Sequence, residues 1–474
     1  MSDSSLGAAQ GTPVIRTKRR RFADHQAKRR YYARRHMSDQ HLRRALIVAF
    51  AWVLQGCSST LPMMPTPALY AGENAKPLFD DLPKDRRHPP LDLLFVTDRA
   101  PAERAGGSSY AAGRSRSLAF GSATVQFGKD LPWEGLVKAS TAKQRVEPVR
   151  LELGSTTERG RFPATPFEVV VAPDGVRRVP AVVEAYETAK HQLQAEVASR
   201  LAVVGRKEVV LFVHGYRTSF EQAALKMGEL CHFLGRDFVC AIFTWPAGGR
   251  RGSLFGYGFD RESSEYAVED LLKVIRIVGR TPGVERLHLI GHSRGTDTLT
   301  SALAELSVEA YGLRSSPDRE YRIGNVVLVA PDLDGDVAVS KIFKVFSDPD
   351  LPFGGNADPS AVIPPATGLK VTLYVSPDDK ALATAGWLMG SFARLGRVDA
   401  TMLNAEQISA LASLRAIDIV QVRGRTDFFG HGYLASNPQV SADIVALLRY
   451  DLRPNEPGRF LEHVTGSFWQ VPRP

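Results

Sequence analysis

From residue 208 onward the chain alternates short apolar runs with longer segments of helical spacing. The apolar runs cover 208–215, 238–245, 286–291, 325–332, 369–376 and 416–424. The first of them, EVVLFVHG, is rich in β-branched residues and almost continuously apolar, which is typical of a strand covered on both faces. Strands that alternate with helices form a mostly parallel sheet joined by right-handed crossovers. The sequence therefore predicts an α/β fold with a central sheet and helices on both faces.

One strand of this series ends in a motif that suggests chemistry. The stretch LHLIGHSRGT places Ser293 between two glycines, directly after an apolar run and before a segment of helical spacing. In a G-x-S-x-G nucleophile elbow the serine adopts a strained turn with its hydroxyl exposed, and the glycines allow the tight bend. Gly and Ser are also common in ordinary turns, so the remaining candidate residues have to decide between the two interpretations.

An acid and a histidine follow Ser293 in the chain order that α/β-hydrolases use. The run 369–376 ends in Ser-Pro-Asp378-Asp379, and His431 lies in the loop TDFFGHGYL before the last helix. We predict that Ser293 is the nucleophile, His431 the base and Asp379 the acid. Asp378 beside it, or Asp332 after the neighbouring strand, are alternatives for the acid.

The negative oxygen of a tetrahedral intermediate requires backbone N–H donors that are already in place. We expect one donor from Arg294, directly after the nucleophile, and the other from Tyr216, with Gly215 letting the backbone approach. The neighbouring His214 is expected to support this loop rather than to act as the base.

Further residues are expected around the pocket or in the core. These are His292 (packing beside the site), Trp245 (lining the pocket), Asp260 (paired with Arg261), His288 (a core histidine) and Asp427 (solvated or orienting its loop).

At this point the chain resembles a known family. In order, LLFVTDRAP, VVLFVHGYRTSFEQA, FTWPAGG, GYGFDRESSEYA, LHLIGHSRG, VVLVAPDLDGDV, VSPDDKAL and GHGYL are similar to a bacterial α/β-hydrolase family of unknown function within an esterase/lipase superfamily. The resemblance covers about residues 91–450. It implies an α/β-hydrolase fold and the triad Ser293, Asp379 and His431. Members often carry methionine where this chain has Arg294, so a cation beside the pocket is expected to influence substrate preference, unless it turns out to solvent or pairs with an acid on a neighbouring loop.

The positive charge of the chain is concentrated in its first 56 residues. They carry twelve Lys and Arg against three Asp, a balance of +9, and the remainder has 48 basic and 48 acidic residues. We therefore expect no nucleic-acid partner. The apolar stretch 45–54 is too short to span a bilayer and ends in Leu-Gln-Gly-Cys57, which resembles a lipobox. Residues 1–56 are thus predicted to be a basic leader and lipoprotein signal peptide, with Met37 as an alternative start, and Cys57 to be lipidated.

Composition divides the rest of the chain. Residues 57–90, rich in proline, are expected to form a tether, and 91–180 a β-rich extension packed on the catalytic domain at 181–455. Within that domain 333–368 is a possible small cap, and 456–474 is expected to be a tail. Cys231 and Cys240 are interpreted as buried free thiols, and no Cys/His spacing indicates a metal site.

These observations predict a lipid-anchored serine hydrolase of the bacterial envelope that needs no metal or cofactor. A small-molecule or lipid acyl ester is the expected substrate. An amidase or thioesterase would use the same triad, and a catalytically idle lipoprotein that binds a partner is the alternative from another class.

Overall fold

A computed structural model describes residues 60–73, 75–102, 109–248, 253–347, 369–389, 394–413, 415–424, 427 and 429–472. The predicted signal peptide, the lipidation at Cys57 and residues 348–368 of the possible cap lie outside these ranges. Within them, no helix combines the length and the apolar character that crossing a membrane requires.

Fourteen strands are present in the described ranges. They are β1 (Thr60–Pro62), β2 (Leu91–Ala102), β3 (Ser109–Phe127), β4 (Arg150–Arg161), β5 (Val169–Ala172), β6 (Gly175–Arg178), β7 (Glu208–Val213), β8 (Val239–Thr244), β9 (Arg286–His292), β10 (Ile323–Val329), β11 (Lys370–Val375), β12 (Ile417–Gln421), β13 (Glu462–Thr465) and β14 (Phe468–Gln470). Twelve of these form one sheet in the order β1-β4-β3-β2-β8-β7-β9-β10-β11-β12-β14-β13, and β5 pairs only with β6. The strands from β2 and β8 through β12 to β14 are parallel neighbours, as the strand–helix alternation predicts.

The helices of the described residues connect and cover these strands. They are α1 (Trp133–Thr141), α2 (Pro180–Val203), α3 (Phe220–Phe233), α4 (Ser253–Tyr266), α5 (Val268–Gly279), α6 (Gly295–Gly312), α7 (Pro317–Glu320), α8 (Gly335–Ser347), α9 (Lys380–Met389), α10 (Ala405–Ser413), α11 (Tyr433–Ser436) and α12 (Pro438–Arg449). Apolar residues recur at helical spacing throughout 263–279, but the structure divides this segment between α4 and α5.

The sheet has an apolar core on each face. Along β7, Val209, Leu211 and Val213 pack into the core formed with α2, α5 and α6. The alternate residues Val210 and Phe212 pack into the other core, with α3 and α12. This division follows from the two-residue period of a strand, and it explains why β7 is apolar at almost every position. Because the central strands are parallel, their carboxyl ends meet at one edge of the sheet. This edge is the usual place for a site in such a sheet.

The prediction of a tether at 57–90 is wrong for the described part of that segment. β1 pairs with the start of β4, and Tyr70 and Leu78 are buried in the core. The guanidinium of Arg449 donates to the Tyr70 hydroxyl at 3.0 Å and to the Leu78 carbonyl at 2.8 Å. Apolar side chains spaced between the prolines thus attach this segment to the catalytic domain, although its composition is typical of a linker.

The N-terminal β-rich part and the C-terminal tail both extend the central sheet. β2 pairs in parallel with β8, so β2, β3 and β4 continue the sheet and are not a separate layer packed upon it. At the other end, β14 pairs in parallel with β12, and β13 forms the edge. The predicted tail at 456–474 therefore contains two strands of the sheet.

The two cysteines of the catalytic domain form a disulfide, which corrects the prediction of free thiols. Cys231 lies in the last turn of α3 and Cys240 is the second residue of β8, with 6.1 Å between their Cα atoms. The left-handed residues Gly235 (φ 86°) and Arg236 (φ 57°) reverse the chain between helix and strand. This tight reversal brings together two thiols that the sequence places on separate elements.

Candidate active site

The predicted nucleophile lies at the turn between β9 and α6. Ser293 has a φ of 53°, in the left-handed region that few residues other than glycine adopt and that costs roughly 1–3 kcal/mol. A Cβ on Gly295 would lie 2.3 Å from the His214 carbonyl oxygen, so only glycine lets α6 begin there. A Cβ on Gly215 would lie 2.6 Å from the Cβ of Ser293. The Gly215 loop therefore runs directly beside the serine.

The predicted acid and base are in contact with each other. His431 Nδ1 lies 2.7 Å from the Oδ2 atom of Asp379, and this carboxylate is fully buried. The Oδ1 atom of Asp379 accepts the N–H of Leu382 at 2.9 Å. The two loops are also joined where the Lys380 N–H donates to the carbonyl of Phe429 at 2.9 Å. The acid is thus oriented by α9 and by the histidine that it contacts.

The two alternative acids have other partners. Asp378 accepts the N–H of Gly424 at 3.0 Å and so holds the loop that follows β12. Asp332 accepts the Tyr257 hydroxyl at 2.8 Å and pairs with Arg394 at 3.3 Å. Of the three aspartates, Asp379 is the one that lies within hydrogen-bond distance of the His431 ring. The catalytic roles of Ser293, Asp379 and His431 stay a prediction.

The surroundings of His431 favour its charged form. Burial opposes protonation of the ring, yet the carboxylate of Asp379, with smaller contributions from Asp332 and Asp427, raises the pKa of the imidazole above its ordinary value. His292 packs against it with 5.3 Å between ring centroids. Burial, and then the charge of His431, lower the pKa of His292 well below its usual range. The two rings therefore differ in their readiness to take up a proton. The role of His292 as a packing residue beside the site stays a prediction.

His214 supports the loop that runs beside Ser293. The N–H of Trp245 donates to its Nε2 atom at 3.1 Å, so the proton resides on Nδ1, which donates to the Gly215 carbonyl at 3.0 Å. Burial, and then the charge of Arg99, lower the pKa of His214 well below its ordinary value. A neutral imidazole that is hydrogen-bonded at both nitrogens in the core is suited to holding the loop. Its role as a support and not as the base stays a prediction.

Trp245 does not line a pocket, contrary to the prediction. Its side chain is fully buried and stacks on His214 with 5.0 Å between ring centroids and an interplanar angle of 12°. Its indole N–H donates to the His214 carbonyl at 2.7 Å. Because no part of it reaches solvent, Trp245 acts by fixing the end of β7.

Arg99 is a residue whose role the sequence did not reveal. Its guanidinium is buried and donates to the carbonyls of Thr218 at 2.6 Å and Ala247 at 3.2 Å, and to the Thr244 hydroxyl at 2.8 Å. Arg99 thus joins the loops that follow β7 and β8 from a position on β2. Arg99 belongs to the motif LLFVTDRAP, which contributes to the family resemblance. The motif does not indicate which loops the arginine contacts.

Asp260 holds the same region, although not through the partner that was predicted. Its carboxylate accepts the backbone N–H groups of Arg217 and Gly248, each at 2.9 Å. Arg261 is exposed and is not its partner. Burial raises the pKa of Asp260 to about 6, against the opposing effect of these two hydrogen bonds. The loop beside Ser293 is therefore tied from α4 as well as from β2.

The side chain of Arg294 is engaged within the protein. It pairs with Asp297 at 2.5 Å and donates to the Ser264 hydroxyl at 3.1 Å and to the Asp332 carbonyl at 3.3 Å. Only 6% of the residue is exposed. The guanidinium is thus neither turned out to solvent nor paired with an acid on a neighbouring loop, because its acidic partner Asp297 lies one turn along α6.

His288, expected to be a core histidine, is buried. Its Nε2 atom lies 2.7 Å from the Oε2 atom of Glu208, and its Nδ1 atom accepts the N–H of Asn325 at 3.2 Å. Among the residues that the structure describes, no group of three or more His, Cys, Asp or Glu side chains is arranged to hold a metal ion.

Known proteins resemble this chain only distantly. No curated protein matches the sequence. Similar solved structures include a lipase-esterase related protein from Clostridium acetobutylicum (15% identity, 51% of this chain and 96% of that one, TM-score 0.26). A second is an esterase from Pyrobaculum calidifontis (13% identity, 56% of this chain and 93% of that one, TM-score 0.27). A third is a carboxylesterase from Bacillus subtilis (12% identity, 55% of this chain and 96% of that one, TM-score 0.24). These similarities are too low to indicate a substrate.

A family model described as "Alpha/beta hydrolase of unknown function" matches residues 189–449. This range contains the serine turn, the acid loop and the histidine loop, together with the strands that carry them. The chain has the α/β-hydrolase fold and belongs to this family of α/β-hydrolases of unknown function.

Proposed function

We propose that the protein is a serine hydrolase of carboxylic esters, with Ser293 as nucleophile, His431 as base and Asp379 as acid. The observation that carries the proposal is the pairing of two features at the carboxyl edge of the sheet. One is the left-handed backbone of Ser293, and the other is the 2.7 Å contact between His431 and Asp379. A strained serine turn needs a reason, and nucleophile presentation is the established one for this turn.

In the proposed reaction His431 takes the proton of the Ser293 hydroxyl as the oxygen attacks the ester carbonyl. The alkoxide leaves with that proton, and an acyl-enzyme remains on the serine. Water then attacks the acyl group with the same histidine as base, which releases the acid and restores the hydroxyl. Asp379 stabilises the imidazolium in both steps. The N–H groups of Tyr216 and Arg294 are the proposed donors to the oxyanion, since their loops adjoin the serine.

The test is hydrolysis of p-nitrophenyl esters with acyl chains of increasing length by the purified chain from residue 58 onward. We expect turnover that Ser293→Ala abolishes. Ser140→Ala, which removes a buried hydroxyl on α1, is the matched control and should keep wild-type rates.

The panel also separates the alternatives. Turnover of matched amides or thioesters in place of esters would change the substrate class while keeping the nucleophile. Lack of reaction with every acyl compound by a folded protein would favour a catalytically idle binding protein.

We also propose that the protein is a lipoprotein of the bacterial envelope, attached to the membrane through Cys57. The sequence Leu-Gln-Gly-Cys after a short apolar stretch is the basis for this location. The disulfide between Cys231 and Cys240 supports it, because disulfides persist in oxidising compartments such as the periplasm.

Labelling in a bacterial host with a radioactive fatty acid tests the anchor. We expect label on the wild-type protein in the membrane fraction and none on Cys57→Ser. A wild-type protein found in the cytoplasm without label would contradict the proposal.

A further inference from the structure

The loop that carries the proposed base is organised around a single carboxylate. Asp427 lies four residues before His431 and is half-buried. Its Oδ1 atom accepts the backbone N–H groups of Phe429 at 2.9 Å, Gly430 at 2.5 Å and His431 itself at 3.3 Å. Its Oδ2 atom accepts the N–H of Gly432 at 2.7 Å. One side chain therefore binds four N–H groups of the segment 429–432.

This arrangement matters because the segment forms neither a helix nor a strand that would fix it otherwise. α11 begins only at Tyr433. Hydrogen bonds from backbone N–H groups to an ionised carboxylate are shorter and about twice as strong as those between neutral groups. The position of the His431 backbone, and with it the reach of the ring to Asp379, depends on these bonds.

We infer that Asp427 is the positioning residue of the proposed base, which holds the loop 429–432 so that the imidazole of His431 meets Asp379. The inference rests on the proposed function in so far as His431 is the base. Asp427 acts through the backbone of the loop and not on the substrate, so it adds a positioning residue to the three residues of the proposed triad.

Asp427 also contributes charge to the surroundings of the imidazole. The ionisable groups that act on His431 and on the adjacent His292 come from several elements and are Asp379, Asp332, Asp427, Lys226 and His214. Among these groups, Asp427 is one of the carboxylates that raise the pKa of His431. Because an anionic neighbour stabilises the imidazolium, neutralising Asp427 should lower this pKa.

The first test variant is Asp427→Asn, which keeps one oxygen acceptor but loses the charge and the second acceptor. We expect kcat for an ester substrate to fall roughly ten- to a hundredfold, on the scale of a misplaced catalytic group, with KM little changed. The rising limb of kcat/KM against pH should move to lower pH, since a base of lower pKa becomes neutral at lower pH.

The matched control is Asp237→Asn. Asp237 also accepts a loop N–H, that of Gly205 at 2.8 Å, but it precedes β8 and therefore lies at the amino edge of the sheet. This variant should keep the wild-type kcat and pH profile. A folded Asp427→Asn protein with the kcat and pH profile of the wild type would overturn the inference.

Gly432→Ala tests positioning without changing any charge. A Cβ at this residue would lie 3.0 Å from the Asp427 Oδ2 atom, a contact that requires the carboxylate to shift. The backbone itself accepts alanine, because the φ of Gly432 is −88°. We expect kcat to fall severalfold with the pH limb close to that of the wild type. If Asp427→Asn does not fold, this variant decides, and a wild-type kcat would refute the positioning role.

A readout independent of turnover separates this inference from the proposed function. In a Ser293→Ala background, NMR titration gives the pKa of the His431 imidazole, assigned by comparison with His431→Gln. A lower pKa after adding Asp427→Asn supports the inference even where no ester is hydrolysed. An unchanged pKa contradicts it even where the wild type is an active hydrolase.

Discussion

Glu229 makes the stability of the fold depend on pH. It lies on α3 with 1% of its surface exposed, and its Oε2 atom accepts the Met64 N–H at 2.9 Å. Burial raises the pKa of Glu229 to about 8 from its ordinary 4.5, against the opposing effects of that hydrogen bond and of the charges on Lys226 and Arg145. In the folded protein this carboxyl is therefore protonated at pH 7, whereas in the unfolded chain it is ionised.

The magnitude follows from linkage between proton binding and folding. Below pH 4.5 both states are protonated and Glu229 contributes no pH dependence. Between pH 4.5 and about 8 only the folded state keeps the proton, so stability falls by about 1.4 kcal/mol per pH unit. The accumulated loss in the free energy of unfolding is about 5 kcal/mol at most. Because water can reach the carboxylate once it ionises, the actual loss is smaller, and we expect it to be at least about 2 kcal/mol.

Glu229→Gln removes the titration but keeps an oxygen to accept the Met64 N–H. Urea unfolding at pH 5, 7 and 9, followed by tryptophan fluorescence, gives the free energy of unfolding of each protein. Relative to the wild type, the variant should gain at least about 2 kcal/mol on going from pH 5 to pH 9. Glu285→Gln, at an exposed position, should track the wild type. The same pH dependence in Glu229→Gln and the wild type would refute the reasoning.

Three further predictions concern the site and the residues around it. Arg99→Met should lower the free energy of unfolding by about 3–5 kcal/mol. The side chain of Arg177 is 69% exposed, so Arg177→Met should change that free energy by less than about 1 kcal/mol, and urea denaturation measures both. Arg294→Met should reduce kcat/KM equally for neutral and anionic esters, because the guanidinium is engaged inside the protein; a loss confined to anionic esters would contradict this. Asp379→Asn should lower kcat by roughly 10⁴, while Asp378→Asn should cost less than about tenfold; the reverse result in the ester assay would move the acid by one residue.

The central strands and the positions of the candidate site follow from patterns that are local in the sequence. The apolar run EVVLFV has the composition of a strand buried on both faces, and it becomes β7. The turn around Ser293 is predictable because the two glycines that permit it and the serine itself all lie within five consecutive residues. The loop positions of Asp379 and His431 follow from the order of strands, because each lies in a loop that follows a strand of the parallel sheet.

The remaining features depend on contacts between distant parts of the chain. Three of the hydrogen bonds from Arg99 on β2 reach the loops after β7 and β8 or the end of β8 itself, more than a hundred residues away. The pairing of Cys231 with Cys240 depends on the left-handed turn at Gly235 and Arg236, which composition does not reveal. Asp427 has ordinary loop surroundings in the sequence, and only the folded loop directs four N–H groups to its carboxylate.

Covalent labelling with a fluorophosphonate tests the central claim most directly, because the reagent reacts with an activated serine whatever the natural substrate is. Incubation of the folded protein, followed by intact-mass measurement and peptide mapping, gives the stoichiometry and the position of the adduct. The proposed mechanism predicts one phosphonyl group per chain, located on Ser293 and absent from Ser293→Ala and from protein unfolded before incubation. A folded wild-type protein that acquires no adduct, or one whose adduct persists in Ser293→Ala, would contradict the proposal that Ser293 is the nucleophile.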